Sequence, residues 1–233
     1  MIRRLFSLIF AGASFSLILA SCGIDTVLLL YPPEDFSSAG GAGILSLRHQ
    51  IENYDPLEGA SQSFKGYEIY YRAFDNVQTA NEEAAQIAYQ ATLYSDRPLA
   101  FESYVSNTRS FYRMRLANLG DIPLAKMTAI EAASAKTYYV TMNAGSDWIL
   151  SDDDALLSVP IFRNIAEPTR ISFYKVANYR SGDRDYAGSD NPSTVYFVFI
   201  AFAYGQDRST PGVAALFSEP FVIESGVTYS PGL

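Results

Sequence analysis

Cysteine, histidine and tryptophan each occur once in the 233 residues, as Cys22, His49 and Trp148. A single cysteine excludes any disulfide within the chain, so packing must supply the stability. One histidine and one cysteine also leave too few nitrogen and sulfur ligands for a zinc site. A nucleophilic triad would have to use His49, and no Gly-x-Ser-x-Gly elbow accompanies it. Basic residues are scarce as well, with 17 Lys and Arg against 25 Asp and Glu. That balance argues against a nucleic-acid partner and against attraction to anionic lipid. Long apolar runs are missing too. The longest, from Leu5 to Leu19, falls short of the roughly 20 residues that span a bilayer.

What is present begins with that run. Arg3 and Arg4 precede it and Leu19-Ala20-Ser21-Cys22 closes it, the order of positive, apolar and small-residue regions found in a signal peptide. The four closing residues resemble the lipobox of bacterial lipoproteins. The resemblance implies cleavage between Ser21 and Cys22, thioether attachment of a diacylglyceryl group to Cys22 and acylation, palmitate included, of the new N-terminus. It places the chain in the bacterial cell envelope, on the outer face of the cytoplasmic membrane or on the outer membrane. Two or more acyl chains hold stably where one is marginal. Loss of residues 1–21 would remove two basic residues and no acidic one, leaving 15 against 25. Residues 22–27 then read as the lipidated tether.

Tyrosine (17) and phenylalanine (15) are plentiful and favour strands. Val27–Tyr31 reads as a first strand ended by Pro32-Pro33, Ser37–Gly43 as a loop, and Ile44, Leu45 and Leu47 as the start of a second strand. In Phe64–Arg72, Tyr67, Ile69 and Tyr71 alternate with Glu68, Tyr70 and Arg72, the period of a strand. Tyr196, Val198, Ile200 and Phe202 alternate in the same way with Phe197, Phe199 and Ala201. Gly66-Tyr67-Glu68-Ile69-Tyr70-Tyr71 and Tyr196–Gly205 are similar to the third and penultimate strands of a fibronectin type III domain, and Ser218–Ile223 to its last. The resemblance implies an immunoglobulin-like antiparallel β-sandwich built discontinuously from residues 28–75 and 170–224, with a helix-containing insertion at 76–169 and a tail at 225–233.

Within the insertion, Ala80, Ala84, Ile87, Ala91 and Tyr94 recur at helical spacing. Thr79 and Glu82 have capping-box spacing, and Pro98 is expected to stop the helix. Tyr104–Leu119, Thr137–Met142, Trp148–Leu150 and Ile171–Val176 read as strands, Lys126–Ala135 as a helical turn and Ser181–Ser193 as a polar loop. Phe197, Phe199, Phe202 and Tyr204 make the strand at 196–204 apolar on both faces, which predicts that the helix covers one of them.

No cofactor and no catalytic residue is expected. His49 reads as a surface histidine at a strand end, and Asp152-Asp153-Asp154 as a solvated turn. Asp183 and Asp185, with Gly188, fit part of a calcium loop, and Asp190 could contribute. Ala187 and Thr194 stand where two further ligands should be, so these aspartates are only weak metal candidates. The sequence thus describes a lipid-anchored envelope domain for non-catalytic binding or structural interaction, with a protein or glycan partner. The competing expectation is a carboxylate-based hydrolase such as a glycoside hydrolase, whose paired carboxyl groups only the fold could bring together.

Overall fold

The computed structural model describes residues 30–39, 43–53, 64–116, 123–127, 131–143, 145–154, 156–164, 171–207, 214–223 and 227–229. Leu19, Ala20, Ser21 and Cys22 lie outside them. The strands in chain order are β1 (Asp35–Ala39), β2 (Ile44–Arg48), β3 (Phe64–Phe74), β4 (Tyr112–Arg113), β5 (Arg115–Leu116), β6 (Ala125–Lys126), β7 (Thr137–Thr141), β8 (Trp148–Asp152), β9 (Ser158–Phe162), β10 (Tyr186–Ala187), β11 (Val195–Asp207), β12 (Ala214–Phe217), β13 (Phe221–Val222) and β14 (Val227–Tyr229). Two helices follow β3: α1 (Val77–Leu93) and α2 (Pro98–Ser103).

Hydrogen bonding sorts the strands into two sheets. The first runs β1-β2-β7-β8-β9-β5. The second centres on β3 and β11, antiparallel over ten residue pairs from Tyr196–Phe74 to Gly205–Phe64. β4, β6 and β10 flank β3, while β12, β13 and β14 follow one another along the far edge of β11. Among the described strands, only β10 runs parallel to its neighbour. The molecule is an antiparallel β-sandwich carrying an inserted helical layer and extra strands.

Strand alternation explains three layers. Tyr67, Ile69, Tyr71 and Ala73 of β3, with Phe197, Phe199 and Ala201 of β11, point between the sheets, where they meet Leu45, Leu47, Val140, Trp148 and Leu150. Trp148 stacks on Phe173 at 4.3 Å and meets Phe197 edge-on at 5.1 Å. The opposite faces carry Tyr70 and Phe74, and Val198, Ile200 and Phe202. These pack on Ala80, Ala84 and Ile87 of α1, and on Phe101 and Val105. Alanine at the first two of these sheet-facing positions, 80 and 84, leaves no long side chain to hold the helix off the sheet.

Gly66 has φ near +135°, and a Cβ there would lie 2.0 Å from the Ala125 carbonyl oxygen. Only glycine lets β6 cross at this point. The β3–β11 register shifts beside it, between Tyr204 and Gly205.

Several local expectations differ from the structure. Residues 30–33 form no strand, and the first described one, β1, takes in Ser37 and Ser38 from the stretch read as a loop. Pairing with β2 supplies the reason: Phe36 is buried, and the Ser37 and Ser46 hydroxyls lie 3.0 Å apart. The α1 cap is Asn76, whose Oδ1 accepts the Gln78 and Thr79 N–H groups. Pro98 opens α2, where its missing N–H costs no helical bond. Tyr104–Thr108 is a wide π-type turn, not a strand, and it leads to Ser110 at φ 57°. Ile171 makes one bridge, to Arg163, and Val176–Asn178 is a 3₁₀ turn. Val227–Tyr229, read as tail, pairs with β11. Residues 76–169, set apart by the sequence as an insertion, contribute β4 and β6 to the second sheet and β5, β7, β8 and β9 to the first. No helix among the described residues is long and apolar enough to cross a membrane.

Candidate functional site

The strongest concentration of buried charge lies where β9 ends. Arg163 follows that strand, and its side chain is fully enclosed beside the intersheet core. Its Nε–H donates to Asp185 Oδ2 at 2.9 Å, and Nη2 donates to Asp183 Oδ2 at 2.8 Å and also to Asp185 Oδ1. Nη1 donates to the Asn178 carbonyl. The guanidinium lies 4.1 Å over the Tyr179 ring, a favourable cation–π placement. Tyr71 O–H donates to Asp185 Oδ2, and its oxygen accepts the Asn164 N–H at 3.1 Å.

Burial acts to lower the Arg163 pKa, but the hydrogen bonds and charge of Asp185 outweigh it and raise the value overall. Burial, then Asp185, pushes the Tyr71 hydroxyl well above its ordinary value. The node is therefore a cation held by two carboxylates, with a neutral tyrosine beside it. A planar fork matched to carboxylate oxygens is a geometry that lysine could not reproduce.

Asp183 and Asp185 thus meet as the sequence pattern suggests, but a guanidinium stands between them. Asp190 does not join them; its Oδ1 accepts the Ser181 N–H at 2.7 Å and holds the loop. Among the described residues, no group of three or more His, Cys, Asp or Glu is placed to hold a metal ion. Of the aspartate run, Asp152 pairs with Lys136 at 2.9 Å and caps the Leu156 and Leu157 N–H groups. Burial opposes its ionisation, yet the Lys136 bond and those N–H groups lower its pKa. Asp153 accepts the Thr137 N–H, and Asp154 lies 3.8 Å from Lys136.

His49 is not at the surface. It is 1% exposed, stacked on Phe64 at 5.5 Å and bonded through both ring nitrogens. The stretch after β2 turns inward through the 3₁₀ turn Ile51–Asn53, so the strand end lies beneath neighbouring chain.

A second polar cluster lies under the helices. On the helix-facing side of β3, Glu68 Oε1 accepts from Arg113 at 3.0 Å, and Tyr70 donates to Glu102 at 2.6 Å. Among the described residues, Glu68 Oε2 has no hydrogen-bond partner. Burial raises the Glu68 pKa against the opposing charge of Arg113. Further along, Glu83 of α1 receives Arg109 bidentately and lies 3.4 Å from Arg72. These pairs tie the helical layer to the sheet.

An open cleft of about 390 Å³ adjoins the Arg163 node. Asp183 and Asn178 form the side nearest the guanidinium, Ile171 and Ser172 another, and Lys175 and Arg180 bring two cations to it. Lys175 Nζ sits over the Tyr174 ring, and Arg180 Nη1 donates to Asn191. Neither Glu68 nor Glu102 lines this cleft or the two other described ones, at Arg97–Ser103 and between Ala88, Ala91 and Phe221.

The chain finds no match among protein-family models, curated proteins or solved structures.

The sequence reading missed Arg163, Tyr71, Asn178 and Tyr179. Only Tyr71 had a signal, the alternation that turns it toward the intersheet core. Arg163 follows a short strand whose apolar positions gave no sign that the next residue would be enclosed.

Proposed function

We propose that this protein is a lipid-anchored module of the bacterial cell envelope, held by acyl chains on Cys22. It acts by non-catalytic binding of, or structural interaction with, an envelope protein or glycan. The observation that carries the non-catalytic part is the saturation of the Arg163 node. Its guanidinium nitrogens are spent on Asp183, Asp185 and the Asn178 carbonyl, which makes it a brace and not a reaction centre. The cleft that this brace supports offers a recognition surface lined by Lys175, Arg180 and Asp183. The fibronectin type III-like reading of β3 and β11 is in keeping with this role. So are the neighbouring placements of β2 and β7 in one sheet and of β3 and β11 in the other.

The hydrolase reading has one observation in its favour: Glu68, its pKa raised, shares the surroundings of Tyr70 with Glu102. It needs a substrate to reach that pair, and Glu68 is 1% exposed and bonded to Arg113.

Metabolic labelling with a palmitate analogue tests the anchor. The wild type is expected to carry label and to partition with membranes, and Cys22→Ser to do neither. Equal labelling of the two would remove the anchor from this reading.

A further inference from the structure

One side chain grips the backbone near the start of the described chain. Asn53 Oδ1 accepts the Tyr31 N–H at 2.8 Å, and Asn53 Nδ2 donates to the Tyr31 carbonyl at 2.9 Å. That amide is tied inward as well: Nδ2 lies 3.3 Å from the Tyr67 hydroxyl oxygen, which also accepts the Gln50 N–H at 2.9 Å. An oxygen already accepting two bonds has only its own proton left to give. The acceptor is His49 Nδ1, 2.8 Å away. The other ring nitrogen faces the Ala132 carbonyl at 3.0 Å, and a carbonyl can only accept. These partners assign the ring proton to Nε2 and leave Nδ1 bare.

A second ring proton would have to sit on Nδ1 and point at the Tyr67 oxygen. Tyr67 would then turn its own proton away and face three donors, so the Gln50 or Asn53 bond must be given up. The enclosure of the ring and its stacking on Phe64 keep water from taking the new donor. Among the described residues, no carboxylate holds either ring nitrogen. The charged residues on the surrounding segments are Arg48, Glu52, Lys65, Glu131 and Lys136, with Glu68 beside Tyr67 on the opposite face of β3, bonded to Arg113. Of these, Arg48 is paired with Glu34 and Lys136 with Asp152. The Lys136 carbonyl accepts the His49 N–H. Tyr67 is the one titratable group bonded to the ring, and burial holds its pKa up at about 12, so it stays protonated throughout the acid range.

We propose that His49, Tyr67 and Asn53 form an acid-operated latch on the chain at Tyr31, the segment that leads back toward Cys22. Burial lowers the His49 pKa, against the smaller opposite effect of the Ala132 carbonyl. Above about pH 6.5 the ring is neutral whether latched or open. Below that the open form takes up a proton first, so acid favours opening. The latch does not depend on lipidation. Where Cys22 is anchored, opening lengthens the tether between the membrane and the sandwich.

Amide hydrogen exchange on the full chain, followed by NMR from pH 7.5 to 5 and corrected for intrinsic exchange, tests the proposal. Protection of the Tyr31 and Gln50 amides is expected to fall about tenfold per pH unit below pH 6.5, while Phe199 and Ile200 in β11 keep theirs. In His49→Gln the Tyr31 protection is expected to be independent of pH. Tyr67→Phe is the second variant: with the hydroxyl gone, a ring proton has nothing to disrupt at Asn53, so its Tyr31 amide also loses the pH dependence. Three results would overturn the latch: wild-type Tyr31 protection that ignores pH, loss shared equally by β11, or a wild-type slope retained in both variants.

Discussion

Arg163 is the fully enclosed cation that Asp185 and Asp183 share, and its removal has a definite direction. Arg163→Met would leave Asp183 and Asp185 facing each other with no cation between them and would remove the guanidinium from over the Tyr179 ring. Breaking a buried pair from one side typically costs about 3–5 kcal/mol. That loss is expected in urea unfolding of the single variant, with much of it recovered when Asp183→Asn and Asp185→Asn are added. A triple variant no more stable than the single one would show that the node is not an electrostatic brace. This site was illegible from the sequence for a physical reason. An arginine in an irregular segment carries no periodicity, and its burial depends on two aspartates about 20 residues away. His49 was misplaced for a related reason, because nothing in its neighbours says that the chain will fold over a strand end. The aspartate pair at 183 and 185 was visible as a pair, and the pattern that drew attention to it belongs equally to a cation and to a guanidinium.

Element by element, legibility tracked length. The eleven residues of β3 and thirteen of β11 alternate clearly, and the apolar spacing of α1 showed which face would be buried. Two-residue strands such as β4, β6, β10 and β13 have no period to read and form where a long neighbour, β3 or β11, offers unpaired backbone groups. Helix ends follow local chemistry, where two candidates competed. Asn76 and Thr79 can each cap a helix, and the structure uses Asn76 while leaving Thr79 exposed. Asn76→Ala is therefore expected to lower stability by about 1 kcal/mol. Thr79→Ala should change it by less than about 0.5 kcal/mol. Thermal unfolding of the pair reads the difference, and equal losses would return the cap to Thr79. Pro98 shows the same ambiguity, since proline can follow one helix or open the next.

For the molecule as a whole, the helical layer is a lid on an apolar sheet face. Val198, Ile200 and Phe202 are completely buried beneath it, and Tyr70 and Phe74 nearly so. Replacing residues 77–93 with a short Gly-Ser link uncovers that face, and contiguous apolar surface of this kind drives association. Light scattering is expected to show aggregation at concentrations where the intact chain is monomeric. A monomeric deletion variant with an unchanged melting temperature would mean that the sandwich does not need its cover. The sandwich itself was foreseeable because aromatic alternation demands two faces. The sharing of strands from residues 76–169 between both sheets was not, because membership of a sheet is decided by partners that lie far away in sequence.

The pairing of β3 with β11 also bears on how the protein comes into being. Tyr70 meets Ile200, so the central ladder closes a loop of roughly 130 residues. Until β11 has emerged, the edge of β3 that it covers must wait unpaired, while β4 and β6 can already pair with the other edge. Non-local closure of this kind is slow, and strand edges left open in the meantime are prone to mispair. A chain threaded through a membrane from its N-terminus would present that edge early and its partner late. If the chain is exported in that way, its yield should depend more on holding chaperones than its final stability would suggest.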